Sequence, residues 1–470
     1  MPDIKDLNDK IRINRKSVWE NRTVEEIEDF CNDYKRYLKD STTERRAIDN
    51  AVDMAIKNGF IKLEELLKNP PEKLAGTKVI VENRGKSAAF FVLGEEIDSG
   101  INMVASHVDA PRIDFKPFSM YEDSGFALAK THYYGGIKKY QWFSLPLGID
   151  GIVIKNNGEK VKVRIGFEKD EPIFMMADLL PHLDRREGDI SKVFTADSMN
   201  LILGNTKMKE SGDIKDPVLL NVLNILNDKY GIVEEDLFSA ELEIVPVDEP
   251  RDLGFDRSMI AAYAHDDRVC SYAAMKALLD AEKFSKTACV VLLDKEEIGS
   301  VGNTGARYHF WKRAVKKFMK LFKSDADIED ILEKSMVLSG DVMAAYHPSF
   351  KDVHEINNTC KFGMGITITK YTGVRGKGGA NDAHAEILAA VRSLFNENKI
   401  NWQVGLLGKV DQGGGGTVAL YFADQGMSVV DAGVPVLGMH APYEIISKAD
   451  VYETYRGYKT FVEEFKGVEV

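Results

Sequence analysis

VVLLDKEEIGSVGN, residues 290–303, opens as an apolar β run, Val290–Leu293, and ends in glycines. Between them lie the adjacent acids Glu296 and Glu297. A strand sends successive side chains to opposite faces, so this pair cannot share a face while the chain stays extended. A buried strand that runs out into two acids and then glycines has to turn there.

The same pattern, an apolar strand ending in metal-type ligands, occurs at four more places. They are MVASHVD (His107, Asp109), AYAHDDR (His265, Asp266, Asp267), MVLSGDVMAAYHP (Asp341, His347) and VPVLGMH (His440). Each has an ordinary reading alone. A histidine after a strand is commonly structural, an Asp in a turn is commonly a cap, and DD before a helix suits the macrodipole. Five together at strand ends point instead to one site, because open α/β sheets bind ligands at the carboxyl ends of their strands. Histidines and carboxylates without thiolates suit Zn²⁺, and Mn²⁺ and Co²⁺ fit the same donors. Two cations about 3.5–4 Å apart need a bridging carboxylate, and a further unligated carboxylate must move the proton of the attacking water.

Outward from these strand ends the chain divides by texture. Residues 1–75 read as helical, with Ser41 and Glu44 of STTERR matching a capping box. TKVIVENRGKSAAFFVLG reads as two strands around a polar turn. Residues 113–247 carry short strands with Gly and Asn-Gly turns, including a hairpin at Asn157-Gly158. From residue 248 helices and strands alternate again, and MSVVDAGVPVLGM reads as one strand ending at His440. The expectation is an α/β fold: a split α/β catalytic domain (1–112 and 248–470) with a central mixed sheet, interrupted by a β-rich inserted domain (113–247).

At 470 residues, two domains or one with a large insertion are expected. A net charge of −12 argues against sequence-independent nucleic-acid binding. No apolar run is long enough to span a bilayer. The polar start MPDIKDLNDKIRINRK is no secretory segment. The four cysteines form no CxxC pair, which fits reduced thiols in a cytoplasmic protein.

SHVDAPR, DDRVCSYAAMKAL, DKEEIGSVG, SGDVMAAYHP and VLGMHAPYEIISKADVYE together resemble the motifs of the aspartyl and vacuolar (type I) aminopeptidases, co-catalytic zinc metallopeptidases. The likeness runs in order from about residue 40 to the C-terminus. It implies two Zn²⁺ per chain, one on His107 and Asp341, the other on Glu297 and His440, with Asp266 as bridge. It implies Glu296 as general base, and Asp109 as the catalytic-site carboxylate that orients His107. Asp267 is then structural, and a cis peptide after Asp266 is expected. The resemblance further implies an inserted domain that mediates dimerisation and covers the site. It also implies assembly of homodimers into a tetrahedral dodecamer acting on peptide substrates.

For the substrate side chain, ITITKYTGVRGKGGAND offers Lys370, Arg375 and Lys377; His347 and His182 are further substrate-binding candidates. An acidic N-terminal preference follows only from the family. DQGGGGTVALYF lacks the lysine of a phosphate loop and is expected at the site wall. The rival readings are a carboxypeptidase or acyl-amino-acid hydrolase on the same scaffold, and a non-catalytic scaffold protein.

Overall fold

The computed structural model describes residues 4–13 and 15–468. Val290–Leu293 lies within the strand Thr287–Leu293, buried along its whole length. It sits inside a nine-stranded mixed sheet. The order is Ile61–Lys62, Lys78–Asn83, Ser87–Val92, Thr287–Leu293, Ile101–His107, Met336–Ser339, Ser428–Gly433, Ile366–Thr369 and Trp402–Val404. The four strands Thr287–Leu293, Ile101–His107, Met336–Ser339 and Ser428–Gly433 run parallel, so their carboxyl ends share one edge. The register places Leu293 beside His107.

Strand alternation divides one run of apolar residues between two cores. Val290 and Leu292 pack with the helices Val24–Asp40, Glu44–Lys57, His265–Asp280 and Lys448–Glu464. Cys289, Val291 and Leu293 pack on the opposite face with Phe310–Phe322. Coverage of both faces explains why these strands read as continuous apolar runs. Each Val or Leu so buried contributes about 1.5–3 kcal/mol relative to exposure.

A second sheet, six-stranded and antiparallel, is built from strands between Arg112 and Pro246. The Asn157-Gly158 hairpin is found there, with Ile154 opposite Lys160 and Gly158 at φ 83. A third sheet of five short strands joins Arg251–Leu253, Met259–Ala262, Glu444–Ser447, Pro435–Leu437 and Met343–Ala344.

Two local readings are corrected. MSVVDAGVPVLGM is two strands in two sheets, Ser428–Gly433 and Pro435–Leu437. A Cβ on Gly433 would lie 2.0 Å from the Asp341 carbonyl oxygen, so the backbones touch there; Pro435, which has no N–H to give a ladder, opens the next strand. The helix after STTERR begins two residues later than its capping pattern suggests. Ser41 ends the preceding helix, and Thr43 accepts from the Arg46 N–H. Glu44 is drawn into a buried cluster with Lys86 (2.8 Å) and Arg112 (3.6 Å) and caps nothing. Capping boxes do form at Ser17/Glu20 and Thr23/Glu26.

All four cysteines are free and buried, and burial raises each thiol, Cys360 to about 12. Among the described residues no helix is long and apolar enough to cross a membrane.

Candidate metal centre

The turn expected after Leu293 is a single 3₁₀ turn, Glu296–Ile298, entered through Lys295 at φ 68 and left through Gly299 at φ 90. Left-handed backbone is cheap only for glycine, which accounts for the glycine that closes the turn. The turn lets two adjacent acids both face the carboxyl edge of the sheet. His107 ends its own strand, and Asp341 follows Met336–Ser339 by two residues. Asp266 opens the helix His265–Asp280, where Asp266 and Asp267 keep non-helical dihedrals and are joined by a cis peptide. His440, at φ 67, lies in the connection between Pro435–Leu437 and Glu444–Ser447.

These six side chains meet. His107 Nε2 lies 3.3 Å from Asp266 Oδ1, and His440 Nε2 lies 3.3 Å from Asp266 Oδ2. The two oxygens of one carboxylate therefore face two different imidazoles. Glu297 Oε2 is 3.4 Å from His440 Nε2. Glu296 Oε2 and Asp341 Oδ1 are each 4.0 Å from His107 Nε2.

A second layer holds this set. Asp109 faces His107 Nδ1 through its backbone oxygen (3.0 Å) and Oδ1 (3.3 Å), and accepts from the backbone N–H groups of Glu296 (3.1 Å) and Glu297 (3.2 Å). One carboxylate thus positions a histidine and both acids. His440 Nδ1 meets the Gly136 carbonyl at 2.9 Å. With both Nδ1 atoms so held, each imidazole presents Nε2 to Asp266.

Sequence reasoning missed Glu444. Its carboxylate is buried and accepts from the backbone N–H of Asp266 (2.9 Å) and of His440 (2.7 Å), one on each oxygen. The signal was available in HAPYE, four residues after His440, but nothing local marks that glutamate as inward-facing. Glutamine offers one acceptor where two are used and turns an N–H toward an N–H. Glu444→Gln is expected to weaken zinc binding about 10–100-fold, the scale of an outer-layer loss. Chelator competition measures this; an unchanged affinity would remove Glu444 from the site.

Burial dominates the charge states. It pushes Glu296 up to about 7, with the Asp109 and Asp266 charges adding to the rise and the two histidines opposing it. Burial also holds Glu297 and Asp341 well above the usual carboxylate range. Asp266 moves the other way: burial resists, but hydrogen bonds to both histidines hold it below that range. His440 rises to about 10 despite burial, through Asp266 and Glu297.

The residues fit metal ions. Glu297 Oε1 is buried without a hydrogen-bond partner. Three overlapping groups, His107–Glu296–Glu297, His107–Asp267–Asp341 and Asp266–Glu297–His440, each converge with ligand atoms within 4.8 Å of one another, and the last two share no residue. Asp267, read from the sequence as structural, is thereby placed beside His107 and Asp341. Both of its carboxylate oxygens lack a hydrogen-bond partner, and burial raises its pKa well above the usual range.

The cluster opens on a cavity of about 360 Å³. Asp266, Glu296, Glu297, Asp341 and His440 line it beside the glycines Gly414–Gly416 and Thr417, so the glycine-rich loop lies at the site wall. The substrate candidates are not brought into it. Lys370 is held by Asp382 (3.0 Å) and the Ala383 carbonyl (2.7 Å) and lines a different groove. Lys377 pairs with the same Asp382 at 2.9 Å. His347 packs on Phe350 and takes the Ser349 N–H, outside the cavity lining. His182 is exposed in the 177–188 loop.

The parallel strands bring His107, Glu296, Glu297 and Asp341 to one sheet edge, and the five-stranded sheet adds Asp266 and His440, the arrangement of a ligand-binding edge in an α/β fold. The family profile described as aminopeptidase I zinc metalloprotease (M18) matches residues 37–462, and the chain belongs to that family of aminopeptidases. A probable M18 family aminopeptidase 1 of Thermotoga maritima is 46% identical over 456 residues, spanning 96% of this chain and 100% of the relative. A crystal structure of an M18 aminopeptidase from Thermotoga maritima has TM-score 0.93 at 45% identity, covering 96% of this chain and 100% of that one. Aminopeptidase I of Clostridium acetobutylicum has TM-score 0.91 at 39% identity, with the same coverage. The mApe1 dodecamer of Saccharomyces cerevisiae shares the fold at TM-score 0.75 and 21% identity, covering 93% of this chain and 97% of that one.

Proposed function

We propose that the protein is an aminopeptidase that removes N-terminal residues from peptides at a dinuclear zinc site, with Glu296 as general base. The observation that carries this reading is the divided carboxylate of Asp266, one oxygen toward His107 and the other toward His440. His107 and Asp341 would hold one zinc, Glu297 and His440 the other, and Asp266 both. Bound zinc supplies Lewis acidity, making a water more acidic and polarising the peptide carbonyl. Glu296 opens on the cavity, accepts the proton of the attacking water and passes it to the departing amine. Asp109 keeps Glu296 and Glu297 in their separate roles by holding both backbone N–H groups.

The cavity favours one substrate class over the family's acidic label. Its remaining wall is Val342, Met343, Leu407 and Met439, with Gly136 and Thr372, and among the described residues no lysine or arginine lines it. Two methionines adapt to varied apolar shapes. An N-terminal Leu or Met side chain fits such a wall, while Asp or Glu would lie against it with no lysine or arginine to pair with. On aminoacyl chromogenic substrates with Zn²⁺, kcat/KM for Leu and Met is expected to exceed that for Asp and Glu by about tenfold or more, one buried apolar group's worth of discrimination. Faster cleavage of Asp or Glu would reverse this preference. Dipeptides blocked at the amine should resist cleavage and those blocked at the carboxyl should not; the opposite result would favour the carboxypeptidase reading.

The yeast relative's dodecamer supports a homo-oligomer; assembly of dimers into a closed shell, as the family resemblance implies, would admit only peptides. The reduced thiols fit a cytoplasmic enzyme.

A further inference from the structure

The strand Phe126–Tyr134 belongs to the six-stranded sheet, yet the residues at its end reach the metal centre of the other sheet. Tyr134 donates its hydroxyl to Asp109 Oδ2 at 2.8 Å. Two residues on, the Gly136 carbonyl meets His440 Nδ1 at 2.9 Å. Between them Gly135 passes so close to the site that a Cβ on it would lie 3.4 Å from Glu297. Three consecutive residues thus touch the support of His107, the side chain of Glu297 and the ring of His440. His107 belongs to one proposed ion's ligands, and Glu297 and His440 to the other's.

Asp109 Oδ1 already serves His107 and the Glu296 N–H, and Oδ2 the Glu297 N–H. The Tyr134 hydroxyl adds a donor on Oδ2. Side-chain rotation of Asp109 therefore breaks contacts to two sheets at once. Tyr134 is itself fixed from behind. The Arg112 guanidinium lies 3.9 Å from its ring centroid. Arg112 is buried and pairs with Asp114 (2.8 Å), Glu243 (3.2 Å) and Glu44 (3.6 Å). Asp114 and Glu243 lie in the six-stranded sheet, and Glu44 opens a helix that covers the other. The phenol is held where the two sheets join.

We propose that Tyr134 is a positioning residue of the metal centre, and that the segment Tyr134–Gly136 couples docking of the six-stranded sheet to zinc binding. The inference rests on reading the His/carboxylate cluster as a zinc site. If the sheet holds both imidazoles, zinc held by them must in turn hold the sheet, since coupling between two binding events is reciprocal.

Tyr134→Phe keeps the ring on Arg112 and removes only the hydroxyl. In the full-length chain its zinc affinity, measured against a chromogenic chelator, is expected to fall about 10–100-fold, as for other losses behind a metal ligand. A double-mutant cycle tests the route. With Asp109→Asn already present, adding Tyr134→Phe should cost much less, because the two act through one carboxylate. Equal cost in both backgrounds overturns the route through Asp109. Hydrogen exchange of the unsubstituted protein needs no variant: zinc should slow exchange at residues 131–136. Affinity within twofold in Tyr134→Phe, or unchanged exchange, overturns the coupling. An unsubstituted chain that binds no zinc overturns the metal-centre reading itself.

Discussion

Glu296→Gln is expected to keep its zinc and lose about 10²–10⁴ in kcat, the range a positioned proton-transfer group supplies. Both halves of this result follow from the turn after Leu293. Glu297, not Glu296, points to His440, with Oε2 at 3.4 Å. Glutamine at 296 leaves that ligand set intact and has the shape of glutamate. It cannot accept the water proton, because its amide nitrogen donates and its oxygen is far less basic. Burial raises the Glu296 carboxyl above the usual carboxylate range, which makes it a better proton acceptor than an exposed glutamate. KM should change little, since the side chain is assigned to the reacting water rather than to substrate binding. Metal content by elemental analysis and kcat on an aminoacyl chromogenic substrate together decide. A variant that loses zinc would make Glu296 a ligand. A variant with normal turnover would leave the base unassigned.

Much of this fold could be read from strand ends. Val290–Leu293 is legible because a strand buried on both faces must be apolar at every position, and the residues after it are free to be charged. The 3₁₀ turn was legible because two adjacent acids serving one site require a reversal, and Gly299 permits it. Less visible were features fixed by tertiary contact. In MSVVDAGVPVLGM the local mark is Pro435, which cannot continue a central ladder, but the change of sheet itself follows from the backbone of Gly433 meeting that of Asp341. Ser41 and Glu44 have the spacing of a capping box, but the buried Lys86 and Arg112 draw Glu44 away. Glu444, Tyr134 and Gly136 act through backbone groups or through Asp109, and such roles carry no residue-type signature. Lys370 illustrates the converse. Its charge suggested a substrate reader, and in the structure it pairs with Asp382, twelve residues on.

If the site is dinuclear as proposed, Asp266→Asn is expected to remove at least one zinc ion and to abolish turnover. The native carboxylate places Oδ1 at 3.3 Å from His107 Nε2 and Oδ2 at 3.3 Å from His440 Nε2. An asparagine has one oxygen for one of these directions and turns an amide N–H₂ to the other. A pair of ions held as proposed would then lack a ligand atom on one side and the shared anion that offsets their repulsion. The chain itself should remain folded, because the Asp266 bond to Glu444 is made by the backbone N–H. Thermal unfolding with and without zinc provides a check independent of turnover. Zinc at 100 times its Kd stabilises the native state by about 2.7 kcal/mol per independent site, so the variant should lose a large part of the zinc-dependent rise in Tm. Asp267→Asn is the decisive companion. Asp267 converges with His107 and Asp341 alone, so its loss should touch one ion, whereas Asp266 stands between both histidines. If Asp267→Asn empties both positions and Asp266→Asn only one, the bridge is the second acid of the pair, and the roles of these neighbours are exchanged.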